Sequence, residues 1–539
     1  MTCSKIFSGD LPELVDEIIQ HLRNDISTLY SCILVNRLWC RLAIPLLWED
    51  PFSTPTKNYH FIEIYLQYLE EKDKEKLQDY GINNNLIPLN TLFNYPSFIK
   101  YLNTQNIIST IKLWVKAVRN LSNQPSLQFY PECDLLKFIY ESLFKIFIER
   151  ETNLNTFDNF IFSNNDRDYF YIAFKLILQN QNFINNIKNL NFTIFITSRI
   201  NITTLISYLK SINTISSLNY AFYGYHCRFN SINLNYLFTS LLKNSNISNT
   251  LKIITFSNIN FNNIFGFNEI FEQLNVLESI HIIDCNYLNS FIQQILNIIK
   301  PFKLKTLFMN NELPNIELLQ LLLQKSGNYL ENVNFGLLIK NELKLQSLEL
   351  IIRYCMRIKV FELFGFDNQN IYLLFNLIEN IGQNLNYLSI HQISDSFTNN
   401  IETSLIVLQN LGQILPFKLG YLDLNLMIEN ASDFEIFLKN SQNTFINRLC
   451  IKIMIREGDD ILLYIKEYIM KKKRVKHLSF KVNNNDLFFL KDEVKEFELY
   501  NIKVQSESDG RTYDFEVGDH DIHPADTNML AKWKLLDFI

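Results

Sequence analysis

The stretch LPELVDEIIQHLRNDISTLYSCILVNRLWCRLAIPLLW, residues 11–48, decides the fold of the N-terminal part of this chain. Pro12 suits the first turn of a helix because proline has no amide proton to lose and its φ is already near helical. Acidic residues follow at once, and these favour a helix N-terminus. Asn24 and Asp25 then interrupt the apolar spacing, and two further apolar runs follow. The stretch therefore predicts three short helices.

The ordered residues of this stretch resemble the F-box, a small helical module. The landmarks that carry the resemblance are Leu11-Pro12-Glu13, Ile18, Leu22, Leu29, Cys32, Val35, Asn36-Arg37, Trp39, Leu42 and Leu47-Trp48. In that family the module binds a Skp-type adaptor and so joins a cullin–RING ubiquitin ligase. The resemblance implies an adaptor-binding set of Leu11, Pro12, Leu14, Ile18, Leu22, Leu29, Val35 and Trp39. The alternative is an ordinary helical hairpin, and in either case a unit this small needs part of its apolar surface covered by a partner or by the rest of the chain.

The composition indicates a folded protein with several domains or one repeat array. The chain has 539 residues, of which 47% are hydrophobic, and this length usually exceeds a single domain. The net charge of −6 argues against a dedicated nucleic-acid binder, which usually carries a strong basic excess. No apolar run approaches the ~20 residues of a membrane span. We therefore expect neither nucleic acid nor a membrane as a partner.

Cysteine usage indicates a reducing compartment. The eight cysteines are scattered and form no Cys-x-x-Cys pair, which is not the pattern of a disulfide framework. Residues 1–10 lack the apolar core of a signal peptide. We expect a protein of the cytoplasm, the nucleus or both.

A repeated unit, apolar-x-x-apolar-x-apolar, fills the chain from Ile187 onward. Its starts are Ile187, Ile215, Leu251, Leu277, Leu304, Leu330, Ile358, Leu385, Leu419, Ile446, Val475 and Val494. Most intervals lie between 26 and 29 residues, and most gaps hold a segment with helical apolar spacing, such as IELLQLLLQ at 316–324. Each unit therefore predicts one strand followed by one helix. This resembles the leucine-rich repeat, which implies parallel strands on a concave face and helices outside.

The strand residues also predict a two-sided sheet. The fourth and sixth residues of each unit are apolar, whereas the fifth is polar in most units. Because strand side chains alternate, we expect the fifth residues to face away from the core, toward solvent. The Asn or Cys that the family usually places two residues after the last apolar position is matched by Cys285 and Asn483 and hardly elsewhere. The repeats are therefore degenerate.

The predicted fold class is α/β, with four regions along the chain. These are a three-helix F-box at 1–50, a mostly helical region with room for atypical repeats at 51–186, an array of about twelve leucine-rich repeats at 187–505, and a polar tail at 506–539. Within the second region, helices are predicted at 58–80, 106–118, 134–150 and 168–180, with Gly81 as a C-cap.

The combined resemblance implies the substrate-recognition subunit of an SCF-type ubiquitin ligase, which would perform no bond chemistry itself. The F-box would bind the adaptor, and the repeats would bind a target protein that the sequence does not identify. The strand residues expected to contact the target are Glu362, Tyr387, His391, Tyr421, Asp423, Arg448, Lys452, His477 and Lys481. Their mixed charges favour a target with a mixed-charge patch, and the alternative is that they are only solvated positions of the sheet. The alternative is a repeat scaffold outside any ligase, with an F-box that no longer binds an adaptor.

Two short motifs each have a second interpretation. The segment Asp519-His520-Asp521-Ile522-His523 holds metal-ligating groups, which would suit an enzyme with a metal site. In a polar tail, however, a solvated segment is favoured, so no metal and no cofactor is expected. The run Lys471-Lys472-Lys473-Arg474 matches a nuclear-localisation patch. At the end of a predicted helix, however, cations complement the helix dipole, and this is the favoured interpretation.

Overall fold

The computed structural model is an α/β protein in which short parallel strands alternate with helices. It describes residues 12–23, 25–53, 59–82, 84–121, 132–150, 152–161, 164–180, 183, 187–195, 216–223, 248–262, 264–309, 312–336, 339–392, 397–455, 461–483 and 485–506. Leu11 and the tail from residue 507 onward, with its histidine motif, lie outside the described residues. The chain divides into two compact units, residues 1–254 with 273–277 and residues 255–272 with 278–539.

The first unit begins with three helices and continues with four parallel strands. Its helices are α1 (Pro12–His21), α2 (Ile26–Ile33), α3 (Arg37–Leu47), α4 (Phe61–Leu66), α5 (Glu71–Asp79), α6 (Thr104–Leu121), α7 (Glu132–Glu149) and α8 (Asn164–Leu178). Its strands are β1 (Tyr101–Asn103), β2 (Thr156–Ile161), β3 (Asn189–Phe195) and β4 (Ser217–Tyr223). The strands pair in chain order, and the register aligns Leu102, Phe157, Leu190 and Leu218. Parallel neighbours need a crossover connection, which a helix usually provides.

The second unit repeats the same alternation. β5 (Ile253–Ser257) spans the boundary between the units along the chain, and the strands that follow are β6 (Ser279–Ile283), β7 (Leu304–Met309), β8 (Asn332–Phe335), β9 (Val360–Phe364), β10 (Tyr387–His391), β11 (Lys418–Ile428), β12 (Phe445–Ile455), β13 (Val475–Val482), β14 (Asn485–Asp486) and β15 (Lys503–Val504). The helices are α9 (Phe267–Gln273), α10 (Leu288–Leu296), α11 (Ile316–Ser326), α12 (Asn341–Tyr354), α13 (Asn370–Ile381), α14 (Phe397–Ile414), α15 (Ala431–Asn440), α16 (Ile461–Ile465), which a π-helical turn continues over Lys466–Met470, and α17 (Lys491–Leu499). β6 to β13 are parallel in chain order, β15 is parallel to β13, and β14 is antiparallel to β13.

Each of the twelve predicted sequence repeats contains a strand except the last, which starts at Val494. There the prediction of a strand is wrong. Val494 and Phe497 belong instead to α17. Apolar residues three apart also lie on one face of a helix, so the first half of the unit pattern does not distinguish the two structures. The Phe497 side chain on this helix is fully buried. The last strand is β15, which follows α17 and pairs with β13.

Two strands, β1 and β2, lie in the region that was predicted to be mostly helical. β2 follows the unit pattern with Leu154 and Phe157 in the first and fourth positions, but the sixth position holds Asn159. β1 follows it with Leu102 in the fourth position and Thr104 in the sixth. A polar sixth residue therefore concealed both strands from the periodicity.

The helices predicted in this region are present, but the segment 58–80 is two helices, not one. The first, α4, ends at Leu66. Tyr68 lies in the break between the two helices, and its hydroxyl donates to the Phe93 carbonyl at 3.1 Å. Gly81 follows α5 with a φ of +80°, a left-handed conformation that glycine adopts without strain. The predicted cap at this residue is confirmed.

One register shift corrects the alignment of the repeat units. Ile280 pairs with Leu304, but the next residue, His281, pairs with Thr306 across a β-bulge between β6 and β7. The unit numbering instead aligns His281 with Phe308. The observed partner is therefore two residues away from the one that the unit numbering gives, and the apolar pattern carries no signal for this offset or for the bulge.

The two turn residues that match the repeat pattern contact backbone groups of the neighbouring strand. The Cys285 thiol lies 3.6 Å from the Phe256 carbonyl oxygen, and its burial raises the pKa of the thiol. Asn483 Oδ1 accepts a hydrogen bond from the Ile455 amide at 3.0 Å. Both side chains therefore tie a turn to the preceding strand and satisfy backbone groups there.

Candidate functional site

The three N-terminal helices share a small core. Its buried residues are Val15, Ile19, Leu29, Cys32, Trp39, Ala43 and Leu46. Side-chain caps define the helix starts: the Asp25 carboxylate accepts from the Thr28 amide at 3.0 Å, and Asn36 Oδ1 accepts from the Trp39 amide at 3.0 Å. The hydrogen bonds from Thr28, its hydroxyl first, lower the pKa of Asp25. The break predicted near Asp25 is thus a helix cap.

One side of α2 is apolar but exposed. Ile26 and Tyr30 of α2, and Leu34, which caps its C-terminal end in a helical conformation, are 45%, 60% and 87% exposed. Their four-residue spacing places them on one side of the helix, and we call these three residues the α2 stripe. Leu14 and Val35 are also exposed, to 41% and 44%. Exposed apolar side chains in a group are typical of a surface that contacts another molecule.

The structure separates the predicted adaptor-binding residues by their burial. Pro12, Leu14 and Val35 are exposed, Ile18 and Leu22 are partly buried, and Leu29 and Trp39 are core residues. The two core residues support the helices and do not present a surface. The α2 stripe was not predicted because α2 is apolar on more than one side, and spacing alone does not tell which side faces the core.

Glu49, just after the three N-terminal helices, is hydrogen-bonded to the segment that begins the first parallel strand. The Glu49 carbonyl accepts hydrogen bonds from the amides of Lys100 at 2.9 Å and Tyr101 at 3.1 Å. Carbonyls that accept two successive amides from the next strand recur at Lys100, Asn155, Lys188 and Ser216. The Glu49 carboxylate is buried and pairs with Arg23, at 3.4 Å, and with Lys100. The three helices therefore end within the hydrogen-bond register of the strands.

In the second unit, the predicted target-binding residues lie together on one face of β9–β13. We call this face the polar sheet face. Its three rows across neighbouring strands are Val360–Tyr387–Tyr421–Arg448–His477, Glu362–Ser389–Asp423–Cys450–Ser479 and Phe364–His391–Asn425–Lys452–Lys481. The intervening residues, such as Leu388 and Ile390, point to the opposite face and are fully buried.

The polar sheet face is largely buried, so the expectation that its fifth-position residues face solvent is wrong. Asn334, Glu362, Ser389 and Asp423 are 0%, 4%, 2% and 4% exposed. Strands about 4.8 Å apart bring these side chains against those of the neighbouring strands. Asn334 Nδ2 donates to Glu362, and His391 Nε2 lies 2.9 Å from Asp423 Oδ2. Cross-strand hydrogen bonds therefore replace water on this face.

Two tyrosines fill the middle of the polar sheet face. The rings of Tyr387 and Tyr421 stack with centroids 4.5 Å apart and planes 5° apart. The Tyr421 hydroxyl donates to Cys450 Sγ at 3.2 Å, and both rings cluster with Val360. Burial, with the charge of Glu362 as the next cause, raises the pKa of Tyr387 well above its usual range. This part of the face is filled by its own side chains.

The part of the face on β12 and β13 is basic and more open. Arg448, Lys452, His477 and Lys481 are all partly buried, and β15 places Lys503 beside His477. Burial lowers the pKa of His477, and the charges of Arg448 and Lys503 lower it further. The local electrostatic potential around this imidazole is therefore positive.

The basic run at 471–474 is not a uniform surface patch. Arg474 is buried, and its guanidinium donates to the Leu438 carbonyl at 3.2 Å and to Ser441 Oγ at 3.0 Å. These contacts place the cation at the carbonyl end of α15. Burial lowers the pKa of Arg474 to about 10. The arrangement agrees with the helix-end interpretation. The helix end that Arg474 contacts, however, is that of α15 and not that of α16, which precedes the basic run in the chain.

Within the described ranges, no group of three or more His, Cys, Asp or Glu side chains is placed to hold a metal ion. In the same part of the chain, no helix is both long and apolar enough to cross a membrane. The sequence matches no protein-family model, and no curated protein is significantly similar to it. The function is therefore inferred from the two surfaces themselves.

Proposed function

We propose that this chain is an F-box protein with leucine-rich repeats, the substrate-recognition subunit of an SCF-type cullin–RING ubiquitin ligase. The three N-terminal helices bind a Skp-type adaptor, and the polar sheet face binds a target protein. The chain performs no bond chemistry itself. The observation that carries the proposal is the exposed α2 stripe, in a helical unit whose residues follow the F-box order.

The α2 stripe has the chemistry of a protein contact. Tyr30 is a residue type that is common among interface anchors. Burial of a Leu side chain as exposed as Leu34 would contribute about 1.5–3 kcal/mol to an interface. Leu14 and Val35, which belong to the adaptor-binding set implied by the F-box resemblance, are also exposed.

The junction at Glu49 suits a ligase subunit. Ubiquitin transfer in such a complex depends on proximity, because a held target lysine has a high effective concentration near the charged conjugating enzyme. A loose connection between the adaptor-bound helices and the strands would lower that concentration. Here the Glu49 carbonyl bonds to two amides of the β1 segment, and its buried carboxylate pairs with Arg23 and Lys100.

The test is capture of the full chain by a purified Skp-type adaptor. The double substitution Tyr30→Ala with Leu34→Asp should reduce capture by more than about tenfold, because it removes the apolar contact and adds a charge. The matched control is Leu89→Ala with Leu92→Asp, two side chains that are 96% and 92% exposed outside the helical unit. The control should bind the adaptor like the unmodified chain.

Equal capture of the two double variants would contradict the assignment of the α2 stripe. If the adaptor does not capture the unmodified chain, the proposal fails. The alternative, a repeat scaffold outside any ligase, is then favoured. Thermal melting of each variant shows whether the helical unit is still folded.

A further inference from the structure

Two exposed arginines lie at one end of the α2 stripe. Arg37 is the first residue of α3, three residues after Leu34, and Arg41 follows one helical turn later. Three residues span at most about 11 Å, so Arg37 lies close to the most exposed member of the stripe. Both arginines are exposed, whereas Trp39 and Ala43 of the same helix are in the core. We call Arg37 and Arg41 the arginine pair.

The arginine pair has no counter-ion in the part of the chain that the structure describes. Neither guanidinium forms an ion pair or a side-chain hydrogen bond with a described residue. Arg23, which follows α1, differs because it pairs with Glu49 at 3.4 Å. An arginine side chain keeps its charge and carries five N–H donors in a planar fork. The arginine pair therefore presents two positive charges and their donors to a partner.

The other end of the stripe carries the opposite charge. Asp25 directly precedes Ile26 and is exposed. Ile26 and Leu34 are eight residues apart, which is about 12 Å along a helix. The charge therefore changes sign from one end of the stripe to the other, and a complementary partner has its negative charge at the Leu34 end.

We propose that the surface that covers the α2 stripe carries carboxylates opposite the arginine pair, and that these charges speed its association with the chain. The statement that this surface belongs to a Skp-type adaptor rests on the proposed function. The partner has an apolar groove for Ile26, Tyr30 and Leu34, bordered at one end by Asp and Glu side chains. The arginines select this chemistry because they attract an acidic border and repel a basic one.

The arginine pair is expected to act on the association rate more than on the final affinity. Ion pairs between exposed side chains contribute little, because water screens them and the long side chains lose conformational freedom. Charges at the border of an interface nevertheless attract the partner before contact and raise the association rate. The apolar residues of the stripe lose their water only after contact, so they affect dissociation instead.

A second copy of this chain fits the arginine pair less well than a different protein does. Antiparallel packing of two α2 helices would bring Asp25 of one copy to Arg37 of the other. Both oxygens of Asp25, however, already accept hydrogen bonds from Thr28, from its amide at 3.0 Å and its hydroxyl at 2.6 Å. An arginine of a second copy would compete with this helix cap. We therefore assign the carboxylates to a different protein.

The experiment measures association and dissociation of a purified Skp-type adaptor and the full-length chain by surface plasmon resonance. At about 0.1 M salt, where the Debye length is about 10 Å, Arg37→Gln with Arg41→Gln should slow association at least about fivefold. At about 1 M salt, where the Debye length is about 3 Å, this variant should associate within about twofold of the unmodified chain. Its dissociation rate should change by less than about twofold at both salt concentrations.

The matched control is Lys112→Gln with Lys116→Gln, which removes two exposed cations at the same spacing from α6, outside the three N-terminal helices. This control should associate within about twofold of the unmodified chain at about 0.1 M salt. Arg37→Lys with Arg41→Lys keeps the charge and should also associate within about twofold. Melting curves show that each variant is folded.

Three results would overturn the proposal. Equal slowing by the two glutamine variants would mean a general attraction by positive charge. A loss of rate that persists at about 1 M salt, or an equal loss in the lysine variant, would mean that side-chain shape and not charge matters. Sedimentation of the chain alone gives the third result, a dimer that the glutamine variant of the arginine pair dissociates, which would assign the carboxylates to a second copy.

Adaptor capture of the unmodified chain separates this proposal from the proposed function. Capture with unchanged association of the Arg37→Gln, Arg41→Gln variant leaves the ligase function and removes the role of the arginine pair. Absence of capture removes the ligase function, and the statement about the adaptor falls with it.

Discussion

The α2 stripe and the polar sheet face reverse the usual relation between polarity and burial. Leu34, an apolar residue, is 87% exposed, whereas Asp423, a charged one, is 4% exposed. The difference lies in the neighbours that each side chain has. A residue in the middle of a sheet has side chains on both adjacent strands, and Asp423 uses His391 as a partner. The core cluster of the three helices covers only the other side of α2, so the apolar groups of the α2 stripe remain exposed.

The contrast predicts a different sensitivity to mutation for each surface. A buried polar network specifies how strands align and is sensitive to any change in its partners. An exposed apolar stripe contributes little to folding and much to association. Mutations on the two surfaces should therefore affect stability and binding in opposite proportions.

The largest expected effect is on the polar sheet face. Ser389 is 2% exposed and lies in register between Glu362 and Asp423. Ser389→Asp would bury a third carboxylate between two others and should lower the free energy of unfolding by about 3 kcal/mol or more. Chemical denaturation measures this, with the exposed Ser27→Asp as the control. If the two substitutions cost the same, Ser389 is not buried in a polar row.

A second effect depends on pH and concerns His281. Burial lowers the pKa of His281 to about 4, with the charge of Lys305 as the next cause, and its ring nitrogens contact Thr306 and Ser279. The unfolded chain takes up a proton below its usual pKa of about 6.5, whereas the folded protein does not until about pH 4. The stability contribution is therefore complete above pH 6.5 and is lost as the pH falls toward 4.

The measurement is the free energy of unfolding at several pH values for the unmodified chain and for His281→Gln. Between pH 6.5 and 4 the unmodified chain should lose about 1–3 kcal/mol more than the variant. Parallel curves for the two proteins would show that this imidazole is protonated equally in the folded and unfolded states.

A third, smaller effect has the opposite sign. Asn159 is 1% exposed at a core position of β2, and neither amide atom has a hydrogen-bond partner in the described structure. Asn159→Leu should raise the free energy of unfolding by about 1 kcal/mol, because it removes a desolvated amide. The comparison is Asn334→Leu, which removes the donor to Glu362 and should destabilise the protein. Destabilisation by both substitutions would mean that Asn159 has a partner after all.

The smallest effect on stability is expected at the α2 stripe. Leu34→Asp should change the free energy of unfolding by less than about 0.5 kcal/mol, because the side chain is already exposed. Leu29→Asp, five residues earlier and fully buried, should cost several times more. Thermal melting of the two variants tests whether the core and the exposed side of α2 are assigned correctly.

Much of the fold could be predicted because helices and strands follow local periodicity. The strands from β3 to β13 lie where the repeated unit placed them, and the caps at Asp25 and Gly81 are local as well. The failures occurred where the local pattern was ambiguous or broken. Val494 fits a helix as well as a strand, and a polar residue in the sixth position concealed β2.

The candidate sites were predicted less completely than the elements that carry them. The register brings the predicted target-binding residues to one face, as their equivalent positions in the units implied. The sequence did not indicate which of these nine residues are buried. The acidic and aromatic ones are buried, whereas the partly exposed ones are basic residue types. It also did not distinguish Leu29, in the core of α2, from Leu34 on its outer side.

The sequence by itself determined the alternation of strands and helices from β3 to β13, and the row of each polar residue on β9–β13. All of these follow from spacing along a few neighbouring residues. Only the tertiary structure decided which of those polar residues remain accessible. Asp423 meets His391 from a strand one repeat away, and Glu362 meets Asn334 in the same way. Burial depends on neighbours that are distant in the chain, and no local pattern records them.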